Sequence, residues 1–142
     1  QDTVDVSLDA HSQATVFSEN EYTLLRYQER RIRYLHSYLL SNGKKIAEHV
    51  FYFEPDRQLL LPAPSIQSVV SASRAGNRFS ILLSSDKLAR NVWLSTRESE
   101  GVFSDNGFDL LPGQRKKVFF DAGAKRIEDF AGELEVRSYG GF

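Results

Sequence analysis

Asp105, Asn106 and Asp109 place oxygen-bearing side chains close together in sequence, with Gly107 between them. Such residues are the ligand type of a hard cation. A full calcium loop also needs further ligands and a terminal bidentate acid, which are missing here. The favoured reading is therefore a turn in which Asp and Asn side chains bond nearby backbone and tolerate positive φ. The other candidate ligands are dispersed. His11, His36 and His49 share no i, i+2 or i, i+4 spacing that would bring two imidazoles to one metal. No Gly-x-Ser-x-Gly elbow, phosphate loop or dinucleotide fingerprint occurs. The sequence therefore implies no cofactor and no metal.

Arg26, Tyr27, Arg30, Arg31, Arg33 and Tyr34 interleave base and ring, a pattern from which single-stranded nucleic-acid surfaces are made. Glu29 interrupts it, and 18 Lys and Arg against 19 Asp and Glu leave a formal charge of -1, without the basic footprint such a partner requires. The expectation is no nucleic-acid partner. No membrane partner is expected either, because no apolar run approaches the roughly 20 residues of a spanning helix. The start, Gln1-Asp2-Thr3, has neither a basic leader nor an apolar segment, so any signal peptide of a longer parent would lie upstream. There are no cysteines, so no disulfides hold the fold, and this composition assigns no compartment.

The elements that must position these groups read as strands. Val4, Val6 and Leu8 alternate with polar residues, as a half-buried strand does. Similar runs fall at residues 14–17, 46–53, 66–70, 79–83, 92–94, 118–120 and 134–136. Short strands at this spacing predict an all-β, antiparallel sandwich. Asp105-Asn106-Gly107 and Pro112-Gly113 would make two reversals around the short apolar run from Phe108 to Leu111. Near the end, residues 124–130 suit one helical turn that Gly132 stops, followed by a last strand over residues 133–139. Phe79, Phe103, Phe108 and Phe119 read as core, whereas Trp93 shares its parity with Asn91 and Ser95 and its face stays open.

Residues 21–40 carry two signals. Tyr22, Leu25, Ile32, Leu35 and Leu39 fall near helical spacing, with Ser18 three before Glu21 as a capping box. Against this, Asn42-Gly43 between two apolar-bearing runs is a hairpin signature. We favour the hairpin, with strands near residues 31–40 and 45–53. Pro55, Pro62 and Pro64 around Leu59-Leu60-Leu61 mark an extended connection. The predicted boundary follows: residues 1–61 as closing strands of a preceding, incomplete sandwich, and residues 62–142 as a terminal domain. An incomplete sandwich would expose an apolar face able to pair with a second copy.

The run Phe103, Ser104, Asp105, Asn106, then Phe108, Asp109, Leu110, Leu111, Pro112 and Gly113 resembles a pattern in the last immunoglobulin-like domain of glycoside hydrolase family 2 β-mannosidases. There the pattern is close to aromatic-Ser-Asp-Asn-aromatic-Phe-Asp-Leu-Leu-Pro-Gly-Glu. Here Gly107 replaces the second aromatic and Gln114 the acid. Residues 83–95 are similar to the strand before the motif and residues 114–120 to the strand after it. The resemblance covers residues 46–138. It implies an immunoglobulin-like β-sandwich, a structural role for the motif, and partners in the rest of the parent chain, namely a catalytic barrel and a preceding sandwich.

Catalysis is not implied in this chain. Retaining glycosidases need two carboxyl groups about 5–5.5 Å apart, and a (β/α)₈ barrel needs roughly 200 residues or more. Asn20-Glu21 matches the acid/base dipeptide of that family, but it has no barrel around it. Two alternatives stand beside the accessory reading. One is a carbohydrate-binding module in which Trp93 contacts a glycan. The other is an adhesive or assembly sandwich unrelated to sugars.

Overall fold

The computed structural model describes residues 2–72, 78–122 and 127–139. By compactness the chain forms two units, Gln1–Leu59 and Leu60–Phe142. In the first, a short helix α1 (Glu21–Leu24) and a 3₁₀ turn (Tyr27–Arg31) precede strands β1 (Tyr34–Ser41) and β2 (Lys44–Tyr52), with another 3₁₀ turn (Asp56–Gln58) after Pro55. Both signals in residues 21–40 are thus expressed, helical turns first and a strand second. The hairpin closes at Asn42 (φ 50°) and Gly43 (φ 74°), as Asn-Gly favours.

Two expectations fail in this unit. Residues 2–19 contain no strand, and Val4, Val6, Leu8, Val16 and Phe17 are exposed. Alternation defines which face of a strand would be buried, but a strand also needs a neighbour for its backbone, and none of the described residues offers one. The α1 cap is Asn20, whose Oδ1 accepts from the Tyr22 amide at 2.9 Å, and not Ser18. Glu21 then pairs with Arg30 at 2.9 Å, and Arg30 also donates to the Phe53 carbonyl. The Asn20-Glu21 dipeptide is thereby a helix start and a buttress.

The second unit is an antiparallel β-sandwich. Strands β3 (Ile66–Ala72), β4 (Arg78–Ser85), β8 (Arg115–Ala122) and β6 (Gly101–Phe103) form one sheet, in the order β3-β4-β8-β6. Strands β7 (Phe108–Leu110), β5 (Ala89–Thr96) and β9 (Leu134–Tyr139) form the other, in the order β7-β5-β9. The chain changes sheet after β4, β5, β6 and β7, and again after β8, where helix α2 (Ile127–Glu133) precedes β9. Four strands facing three is the constant-type immunoglobulin arrangement.

Inward-facing residues make one core: Phe79, Ile81 and Leu83 from β4, Val92 and Leu94 from β5, Leu110 from β7, Val118 and Phe120 from β8, and Phe130 from α2. Phe130 lies between Phe79 and Phe120, with ring centroids 4.5 and 4.9 Å away and nearly parallel planes. This insertion accounts for a departure from expectation. The helix runs through Gly132 to Glu133 instead of stopping, because burial of Phe130 outweighs a glycine penalty of about 1 kcal/mol. Residues 124–126 of the expected turn lie outside the described residues. Phe119 also departs. Its neighbours Val118 and Phe120 are buried, so strand pleating turns Phe119 to the outer face, where Arg78 lies 5.5 Å from its ring.

Candidate functional site

The motif of residues 103–113 crosses from one sheet to the other, and its side chains secure that crossing. Phe103 ends β6 with its ring 4.6 Å from that of Phe120. Ser104 extends the pairing with β8 by both groups: its amide donates to the Phe119 carbonyl at 2.8 Å, and its Oγ accepts from the Phe119 amide at 2.9 Å. Asp105 pairs with Lys116 at 2.5 Å, and the same ammonium sits 4.2 Å from the Phe108 ring centroid.

Asn106 acts over a longer distance in sequence. Its Oδ1 accepts from the Leu94 amide at 2.7 Å and its Nδ2 donates to the Leu94 carbonyl at 2.9 Å, so one side chain satisfies both backbone groups of a β5 residue. Gly107, at φ 71°, donates its amide to the Val92 carbonyl at 2.9 Å. Asp109 Oδ1 then accepts from the Asn91 amide at 2.9 Å, with Arg90 beside its other oxygen at 3.7 Å. Asn91 is left-handed (φ 48°) and sits where the pairing of β5 with both neighbours slips. The motif carboxylate thus holds a β-bulge. Leu110 and Leu111 are buried, Phe108 is half-buried against the core, and Pro112-Gly113 forms the next turn with Gly113 at φ 76°.

The motif oxygens are therefore engaged by amides and cations. The expectation of local turn bonds needs correction, because Asn106 and Asp109 reach β5, 12 and 18 residues away. Among the described residues no group of three His, Asp or Glu side chains is arranged to hold a metal. His36 meets Glu48 across the hairpin at 2.8 Å in the first unit, apart in sequence from His11 and His49.

Trp93 lies elsewhere. Val92 and Leu94 are fully buried, so the alternating partner Trp93 faces out from the three-stranded sheet, 54% exposed. Its cross-strand partner is Arg137, and that of Ser95 is Glu135. Arg97 Nε donates to Glu135 Oε1 at 2.8 Å, and Arg137 Nη2 donates to Oε2 at 2.7 Å. Hydrogen bonds from Arg97, then Arg137, hold the Glu135 carboxyl below its ordinary range, and the Arg97 guanidinium is raised by the same bond. Sequence reading did not find this bracket. Its signal, Glu135 and Arg137 two apart on one strand face, becomes informative only once β9 is paired with β5.

Residues 61–141, more than half of the chain, match the family Ig_mannosidase, an Ig-fold domain. The chain belongs to this family. Solved structures that resemble it include the crystal structure of a β-D-mannosidase from Dictyoglomus thermophilum, with a TM-score of 0.61 and 20% sequence identity, over 75% of this chain and 13% of that one. At that identity the likeness is one of fold, and this chain spans about an eighth of that protein's length. No curated protein matches the chain. The Ig_mannosidase domain and the observed seven-stranded sandwich agree on the immunoglobulin-like architecture.

Proposed function

We propose that this chain is a non-catalytic accessory part of a β-mannosidase-like glycoside hydrolase of family 2, whose parent releases terminal β-D-mannose from glycans. Its role is structural support of the catalytic barrel, with residues 62–142 as the terminal domain and residues 1–61 as closing strands of a preceding sandwich. One observation carries the reading: the segment that belongs to Ig_mannosidase is an immunoglobulin-like sandwich in which the motif carboxylates serve backbone and cations. The role assigned to residues 1–61 is supported by β1 and β2, which pair only with each other among the described residues. A two-stranded hairpin is marginal alone and gains from added strands.

The test has two arms. The isolated chain should release no p-nitrophenol from p-nitrophenyl β-D-mannopyranoside. The parent protein, read upstream of Gln1, should contain a (β/α)₈ barrel, and removing residues 62–142 from it should lower its thermal midpoint. Hydrolysis by the isolated chain, or a parent without a barrel, overturns the proposal.

A further inference from the structure

We propose that the outer face of β5 and β9 is a carbohydrate platform, on which Trp93 stacks against a hexopyranose of a β-linked oligosaccharide while Arg97, Arg137 and Glu135 take its hydroxyls. The face combines the two kinds of group such a ligand requires. A pyranose presents a nearly flat C–H surface that packs on an aromatic face, and a rim of vicinal hydroxyls that both donate and accept. Trp93 is the chain's one tryptophan, half-exposed on a strand whose flanking residues are buried, so its place is fixed by the core beneath it.

The polar groups are held in place as well. Glu135 is bracketed by two guanidinium groups at 2.8 and 2.7 Å, which fixes its carboxylate and keeps it ionised. The side chains of Arg97 and Arg137 are 69% and 76% exposed. A guanidinium has five N–H donors, and one bond each to Glu135 leaves further donors for a pair of hydroxyls. A few fixed polar groups beside an apolar surface is the usual composition of a small-molecule site.

Gly107 borders one edge of the indole without placing a side chain on it. A Cβ at this position would lie 3.7 Å from Cζ3 and 3.8 Å from Cε3 of Trp93, so a large side chain there would be placed to cover part of the indole. Glycine satisfies the positive φ and leaves that edge free. This proposal rests on the face alone, independently of the accessory role. Platform and scaffold functions can fail separately.

The experiment is a titration of the 142-residue chain with β-1,4-mannohexaose and, separately, cellohexaose, followed by calorimetry and by tryptophan emission. Because Trp93 is the sole tryptophan, its emission reports the platform directly. Saturable binding of either sugar with a matching change in emission is expected. Trp93→Ala should weaken it about tenfold or more, the scale of losing one stacked ring. Gly107→Asn, a residue that tolerates positive φ, should weaken binding by covering the ring edge. Arg137→Ala should weaken it while leaving the circular dichroism unchanged, which separates lost contact from lost fold. Absence of saturable binding to both sugars, or wild-type affinity in both Trp93→Ala and Arg137→Ala, overturns the proposal.

Discussion

The two units of this chain are written in the same vocabulary and reach different ends. Both contain alternating strands and a turn at an Asn-Gly pair whose glycine takes positive φ, Gly43 in one and Gly107 in the other. In the carboxy-terminal unit, β4 buries every second residue from Phe79 to Ser85. In the amino-terminal unit, Leu39, Leu40, Ile46 and Phe51 stay about half-exposed on β1 and β2. The difference is the number of layers. Among the described residues, seven strands in two sheets enclose a core in one unit, whereas two strands in one sheet have only faces in the other. Alternation prepares a strand for burial, and a second layer completes it.

The largest test of that contrast is truncation of an aromatic ring in each unit. Phe130→Ala removes the central ring of a buried stack and should cost about 3–5 kcal/mol, read as a shift of the urea midpoint. Phe51→Ala, on an exposed position, should cost about 0.5 kcal/mol or less. Similar losses would show that the amino-terminal unit has a core of its own.

Next is the motif. Asn106→Ala leaves the amide and carbonyl of Leu94 without their side-chain partner in a part-buried place, and should cost about 1–3 kcal/mol. Asp105→Ala removes an exposed pair with Lys116 and should cost about 1 kcal/mol or less. Two neighbours in one motif thus separate by burial, and equal effects would remove the distinction drawn between them. Smaller again is Gly43→Ala, which imposes a side chain at φ 74° and should cost about 1 kcal/mol. Hydrogen exchange should show it as faster exchange in β1 and β2, with the core amides of β4 and β8 unchanged.

Sequence legibility follows the same division. The strands β3, β4, β5, β8 and β9 are readable because each meets a core that rewards alternation, whereas the three-residue strand β6 is too short to carry a pattern and reads as none. The pattern at Val4, Val6 and Leu8 was equally clear and produced no strand, since periodicity records a face and never the presence of a neighbour. Gly132 reads as a stop for the converse reason, since the packing of Phe130 is tertiary and leaves no local trace. The residues of the 103–113 motif were visible, but the destinations of Asn106 and Asp109 were not. Bonds spanning 12 and 18 residues depend on which strand arrives alongside. Trp93 could be placed only after the bulge at Asn91 set the phase of β5.

The smallest expected effect concerns acid stability, and it places the pH response on the outer faces of the sandwich. Arg78 grips Asp121 with two bonds, at 2.5 and 2.9 Å, across the β4 and β8 register. The Arg78 hydrogen bond holds the Asp121 carboxyl below its ordinary range, as Arg97 and Arg137 do for Glu135 on the opposite sheet. A carboxyl depressed in the folded state binds fewer protons than in the unfolded chain. It therefore adds stability that is present above the unfolded value of about 4 and is lost as pH falls through the folded value. Both pairs are solvent-exposed, so screening keeps the contribution small. Asp121→Asn combined with Glu135→Gln should flatten the decline of the urea midpoint on the acid side and lower the midpoint slightly at neutral pH. A decline as steep as that of the unaltered chain would assign the acid response to other carboxyl groups and remove the outer faces from its explanation.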